Sequence, residues 1–154
     1  MKSWRCITSK SAVKGRFVVL LAALWWGSLS SLGFVVVPLL FMHLGSPAEA
    51  GAMAAKLFTA QTWLSVVCAM LLLMLLNKRD DVEVVPDSRA AMAWVVAGML
   101  LALLVEFGVA AQIVSARSSG GNLRFWHGLG SAMYFGQWVC TSLLLWRLTR
   151  PPTR

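Results

Sequence analysis

Acidic side chains are scarce in this sequence: six Asp and Glu stand against fourteen Lys and Arg in 154 residues. Five of the six, Glu49, Asp80, Asp81, Glu83 and Asp87, fall in polar stretches, and Glu106 alone lies inside a long apolar run. A pair of carboxylates placed for general acid and base work is therefore missing. Histidine is rarer still. His43 and His127 are the only two, and neither belongs to an HExxH pattern. The three cysteines, Cys6, Cys68 and Cys140, show no CxxC spacing, which argues against structural zinc and a framework of disulfide staples. There is no nucleophile elbow and no phosphate-cradling glycine loop. Ser131 has His127 one turn before it, which is ordinary helical spacing, so conventional hydrolase chemistry has no candidate set.

What is abundant is apolar. Hydrophobic residues make up 58% of the chain, charged ones 13%, and the mean hydropathy is +0.72, values of the membrane class. A spanning helix needs about 20 mostly apolar residues. Four runs meet that length: Phe17–Met42, Leu57–Leu76, Ala91–Val114 and Phe125–Trp146. The expectation is a single membrane domain over residues 1–154, all-α, an integral membrane four-helix bundle. The N-terminus, with Lys2, Arg5, Lys10, Lys14 and Arg16 ahead of FVVLLAALWW, has the look of a secretory signal. Its apolar run continues too far for a cleaved segment and is read as a retained first span.

A net charge of +8 would point a soluble protein toward nucleic acid. Here the basic residues flank apolar runs, where they orient spans and meet anionic lipid, so the expected partner is the bilayer and not nucleic acid. A second copy or another membrane protein is the expected protein partner. Eleven of the fourteen basic residues lie before the first span, between spans two and three (Lys78, Arg79, Arg89) or after span four (Arg147, Arg150, Arg154). Only Lys56, Arg117 and Arg124 lie elsewhere. This asymmetry places both termini in the cytoplasm of a bacterial inner membrane, and the first and third connections outside.

Small residues recur every fourth position in three spans: Ala23, Gly27 and Ser31; Gly98, Ala102, Glu106 and Ala110; Gly128, Ala132, Gly136 and Cys140. Such stripes let helix backbones approach closely inside a membrane. His127, Ser131, Tyr134 and Trp138 share a second stripe on span four, and Gln61, Ser65 and Cys68 share one side of span two. Pro38 should bend span one near its outer end. Ser46, Pro47 and Glu49 suit the start of a helix, as does Asp87 or Ser88 before span three. Gln61-Thr62-Trp63 with Cys68 in span two echoes Gln137-Trp138 with Cys140 in span four, but the spacings disagree and no duplication is inferred. Trp94 and Trp146 suit an inner interfacial belt and Trp126 an outer one.

A charged carboxylate near a bilayer centre costs at least about 2.5–3.5 kcal/mol. Glu106 must therefore be neutral, paired or hydrated. Aligning the span centres at about 1.5 Å per residue brings Ser31, Gln61, Ser65, Ser131 and Tyr134 to the level of Glu106. They form the expected polar centre, with a protonated Glu106 bonded to Ser31, Ser131 or Tyr134. The bland counterpart is a structural link between helices. His43 and His127 both lie at outer ends of spans, and two imidazoles are enough for a haem or a copper ion. No cofactor is the first expectation; haem or copper at these two residues is the alternative. Met42 and Met53 near His43 could soften a copper site, though methionine more often fills apolar gaps.

LWWGSLSSLGFVVVPLLFMHLG, AGAMAAKLFTAQTW and LRFWHGLGSAMY together resemble a bacterial membrane family of unknown function, domain of unknown function 4149, related to eukaryotic transmembrane protein 205. Its basic, HG and serine pattern matches Arg124, His127, Gly128 and Ser131. The resemblance covers most of the chain and implies a four-span bundle with no established activity, which suits an accessory or transport-associated protein. Family members often carry a proline near Ala110 or Ala111; its absence implies a straighter third helix. Span one is also similar to the copper-resistance membrane domain and to the bacterial haem-dependent protoporphyrinogen oxidase. Both tend to place a histidine two turns before the tryptophan, where this chain reads Phe17-Val18-Val19-Leu20.

Overall fold

The computed structural model describes residues 3–77 and 88–150, with side chains for 13–77, 88–116 and 119–150. The side chains of Cys6 and Arg117, the polar connection from Lys78 to Asp87 with its Asp87 cap, and Arg154 lie outside this description. Four helical rods follow one another. The first, α1, runs over Ser3–Ser31, passes through a π-helical turn at Leu32–Val36 and ends as Val37–His43. The second, α2, is unbroken from Pro47 to Asn77. The third, α3, covers Ser88–Leu104, a second π turn at Val105–Val109, and Ala110–Ser119. The fourth, α4, covers Leu123–Thr149. No strand occurs among the described residues.

Local chemistry sets the ends. The Ser46 hydroxyl accepts from the Glu49 backbone N–H at 3.2 Å and so caps α2. Asn122 does the same for α4, its Oδ1 accepting from Phe125 N–H at 3.1 Å. Gly120, at φ 74°, closes α3 in the left-handed conformation that glycine adopts without a Cβ penalty.

The two π turns interrupt rods that would otherwise be regular. In α1 the turn directly precedes Pro38, which has no N–H to give and whose ring crowds the preceding turn. Widening the helix there, with Val37 N–H reaching back five residues to Leu32 O, relieves that conflict. The expected proline irregularity is thus a π turn. The second turn corrects the expectation for α3: with no proline near Ala110 the rod is still interrupted, and Ala110 N–H reaches Val105 O.

Neighbouring rods are antiparallel and pack in the ring α1–α2–α3–α4–α1. Ser3, Asn77, Ser88 and Thr149 belong to one end, called here the terminal end, and the turns at residues 44–46 and 120–122 to the other, called here the hairpin end. The core lies toward the terminal end, where Val18, Ala22, Trp25 and Leu29 of α1 meet Cys68, Ala69 and Leu72 of α2, Ala91 and Val95 of α3, and Leu144 of α4. Gly98 lets the indole of Trp25 reach α3: a Cβ on Gly98 would stand 3.0 Å from Trp25 Cη2. Toward the hairpin end the ring comes apart. Val37–His43 packs on α2 and Ala110–Ser119 packs on α4, so each hairpin holds itself together while the two part from each other.

This division revises the small-residue stripes. Gly98, Ala102 and Cys140 are buried, and a Cβ on Gly136 would touch Leu101. Gly128 and Ala132, nearer the hairpin end, are exposed, with nothing within 4 Å of a Cβ at Gly128. On α1 the stripe of Ala23, Gly27 and Ser31 is not the packing face. Ser31 is exposed, Gly27 has open space, and the buried face is the neighbouring Val18, Ala22, Trp25, Leu29 and Leu32. Large apolar side chains win that contact because they remove more surface than glycine and alanine can.

Val13–His43, Pro47–Asn77 and Ser88–Ala116 are long and apolar enough to cross a membrane. Much of their apolar surface, including Phe17, Leu20, Phe34, Phe41, Met74 and Phe107, points outward, as a lipid-facing surface requires. Rod α4 is of similar length but carries Tyr134, Gln137, Thr141 and Ser142 among its apolar residues. Those polar groups face the other rods.

Candidate functional site

Two sets of polar contacts occupy the middle of the ring. In the first, the Gln61 amide of α2 donates to Ser28 Oγ of α1 at 3.0 Å and lies 3.4 Å from Ser65 Oγ. The Gln137 amide of α4 donates to the same Ser65 Oγ at 3.0 Å. Ser65 in turn donates to the Gln61 carbonyl at 2.8 Å, and Thr141 to the Trp138 carbonyl at 2.9 Å. Gln61, Ser65, Gln137 and Thr141 are all buried. Amides serve such a position well, because they carry two donors and an acceptor without the cost of burying charge. Trp25, one turn from Ser28, is fully buried and its indole N–H has no partner.

The second set is a belt through all four rods at the level where the hairpins part. Tyr134 of α4 donates its hydroxyl to the Leu29 carbonyl of α1 at 2.9 Å, one turn before the π turn. Its ring lies over Gly33, where a Cβ would come within 2.9 Å of Cε1. On its other side the ring meets the edge of Phe58 of α2 at 5.1 Å. Thr59, the next residue, donates its hydroxyl to Glu106 Oε1 of α3 at 2.9 Å. Glu106 is half-buried, sits inside the π turn of α3, and accepts this hydrogen bond between the two hairpins.

A reciprocal contact ties α1 to α4 beside these sets. Trp26 Nε1 donates to Ser142 Oγ at 2.8 Å, and Trp138 Nε1 donates to Ser30 Oγ at 2.9 Å. Each serine passes its own proton to the carbonyl of the tryptophan four residues before it, Ser30 to Trp26 and Ser142 to Trp138. The same Trp-x-x-x-Ser segment thus serves both antiparallel rods, and Phe34 and Phe135 pack on the Trp138 ring.

Of the expected polar centre, Gln61 and Ser65 share a buried network, while Tyr134 and Glu106 lie in the neighbouring belt. Ser31 and Ser131 are exposed and take no part in either. The partner of Glu106 is Thr59, not Ser31, Ser131 or Tyr134. Thr59 is invisible to depth matching because the carboxylate reaches toward α2, and Gln137, Ser28 and Thr141 are missed because no charge advertises them. A signal was present: Gln61 and Gln137 are the polar side chains that water-fearing runs tolerate least after the charged ones. They meet at one hydroxyl, although the sequence spacing of their segments disagrees.

His43 and His127 are both exposed. His43 Nδ1 stands 3.0 Å from the carbonyl of Leu39 in its own helix, an arrangement that presents Nε2 outward. No hydrogen bond joins the two imidazoles, and among the described residues no three His, Cys, Asp or Glu gather. Arg124, Gly128 and Ser131, like His127, lie on the exposed surface of α4 near the hairpin end. Trp146 is exposed, with the Arg150 guanidinium 4.1 Å from its ring centre.

An all-helical chain with lipid-facing surfaces, spanning-length apolar rods and polar groups turned inward is a membrane protein. Its residues 20–122 match the family model described as Domain of unknown function (DUF4149), and the chain belongs to that family. The match covers α1 to α3, so the Arg124, His127, Gly128 and Ser131 pattern lies beyond it. No curated protein and no solved structure matches the chain.

Proposed function

We propose that the chain is a non-enzymatic, transport-associated accessory protein of a bacterial inner membrane, with α4 as a fourth span, both termini cytoplasmic and the hairpin end outside. The basic-residue asymmetry supports the orientation. The observation that carries the functional reading is the parting of the two hairpins above a polar middle, against a terminal half filled by Trp25, Leu29, Leu72, Val95 and Leu144. A solute would then approach from one side and meet a packed core on the other, which supports a receiving site, and the sequence carries no reaction motif beside it.

Accessibility labelling tests this. With Cys6, Cys68 and Cys140 replaced, Thr59→Cys should react with a membrane-impermeant thiol reagent added from outside, and Val95→Cys should not. Protection of Thr59→Cys while Ala48→Cys reacts would end the reading. Reporter fusions at residues 48 and 119 should read as external, and those at 83 and 154 as internal. The haem or copper alternative at His43 and His127 would replace this reading if the purified protein showed a Soret band or stoichiometric copper that His127→Ala abolished.

A further inference from the structure

We infer that the belt at the floor of the cleft is a binding site for a bulky organic monocation, with Glu106 as its counter-ion. The inference rests on the outward cleft proposed above and adds the class of ligand. Glu106 lies in the middle of the third rod, whereas the other acidic side chain of the described rods, Glu49, stands in the exposed first turn of α2. Among the described residues it makes no ion pair, and it accepts one hydrogen bond, from Thr59. Lys56, one turn from Thr59 on α2, is exposed and forms no ion pair with it. Left unpaired, a carboxylate so placed is costly to ionise, and a bound cation would supply the counter-charge that lets it do so.

The choice among cations follows from ligand count. A strongly hydrated ion such as Mg²⁺ or Ca²⁺ demands about six to eight oxygen ligands to replace its water. The belt offers the carboxylate of Glu106 and the hydroxyl of Thr59, while the Tyr134 hydroxyl is engaged at Leu29. Too few oxygens remain for such an ion. A large organic cation spreads its charge, sheds little hydration and needs apolar contact instead. Phe58, next to Thr59 in α2 and half-buried, supplies aromatic surface of the kind that holds quaternary cations. The π turn that carries Glu106 adds a reason to look here, because such turns recur at functional sites.

Equilibrium dialysis of tetraphenylphosphonium against the full chain in lipid nanodiscs at neutral pH tests the inference, with triphenylphosphine oxide as the neutral comparator. Saturable binding near one per chain is expected for the cation and none for the oxide. Glu106→Gln should weaken binding by about tenfold or more, Glu106→Asp should retain much of it, and Phe58→Leu should weaken it while leaving the carboxylate in place. Circular dichroism of each variant confirms that the helices remain. Equal binding to the wild type and folded Glu106→Gln, or equal binding of the oxide, would assign the uptake to lipid-facing surface and overturn the inference. Absence of saturable binding to the wild type would overturn it as well. Labelling of Thr59→Cys is read independently, so a cleft that is reachable yet indifferent to charge refutes the cation site and leaves the outward cleft standing.

Discussion

Replacing Gly98 by alanine should destabilise the protein, and the same replacement should stabilise it once Trp25 is phenylalanine. The new Cβ would stand 3.0 Å from Trp25 Cη2, 3.3 Å from Cζ2 and 3.6 Å from Cys140 Cβ. The first two distances are shorter than ordinary carbon contacts, so the indole must retreat by a few tenths of an ångström. It has nowhere to go, being fully buried among Leu29, Leu72, Val95 and Leu144. Overpacking of this kind costs about 1–3 kcal/mol. Against it stands the better helix propensity of alanine, worth about 1 kcal/mol over glycine. The net expectation is a loss of about 0–2 kcal/mol in the wild-type background. Trp25→Phe removes the outer ring atoms, and with them the clash, as well as an indole N–H that has no partner. In that background the propensity gain of about 1 kcal/mol should remain alone. Unfolding in mixed micelles by a denaturing detergent, followed by far-ultraviolet circular dichroism, gives all four stabilities of the cycle. Equal effects of Gly98→Ala in both backgrounds would show that the indole does not rest on that backbone, and the account of the core would fall with it.

The reciprocal tryptophan and serine contacts predict that Trp26 couples to Ser142, and Trp138 to Ser30, by about 0.5–1.5 kcal/mol each in double-mutant cycles with Trp→Phe and Ser→Ala. Coupling between Trp26 and Ser30 instead would contradict the pairing. Gly33→Val should displace the Tyr134 ring, because a Cβ at residue 33 would stand 2.9 Å from Tyr134 Cε1, and Tyr134→Ala should recover most of the lost stability; failure of that rescue would argue against the contact. Ser46→Ala should cost about 0.5–2 kcal/mol through the lost cap of α2, read as a fall in the unfolding midpoint. Cys68 and Cys140, both buried, should resist a thiol reagent in the folded protein and react on unfolding, and prompt reaction of either would place it outside the core.

The helices and their approximate limits were legible because spanning runs are long and local: apolar length and the cap at Ser46 need no knowledge of partners. Which face of each helix packs was less legible. Small residues at Ala23, Gly27 and Ser31 read as a packing stripe, yet a neighbouring stripe with Trp25 and Leu29 offered more surface to bury. Small residues permit close approach, but they do not compel it. The polar centre was half legible. Depth alone brought Gln61, Ser65, Tyr134 and Glu106 to one level, whereas direction decides bonding, and direction depends on which rods are neighbours. Ser131 matches Glu106 in depth but faces outward, while Thr59, two residues before Gln61 in α2, makes the bond. The π turn of α3 escaped notice because no pattern in Val105–Val109 forbids an ordinary helix, whereas Pro38 marked the irregularity of α1.

Each π turn has a consequence for how this chain can vary. A helix advances about 100° per residue, so the one residue accommodated in a π turn turns everything beyond it by roughly that angle relative to everything before. A single-residue deletion within Val105–Val109 can therefore be absorbed by reverting that turn to an ordinary helix, without disturbing the packed terminal half, whereas in α1 Pro38 holds the wider turn in place. What changes is the aim of the hairpin beyond. Insertions and deletions of one residue, usually ruinous inside a spanning helix, become a dial here, letting relatives of this protein present a different surface at the hairpin end on an unaltered base.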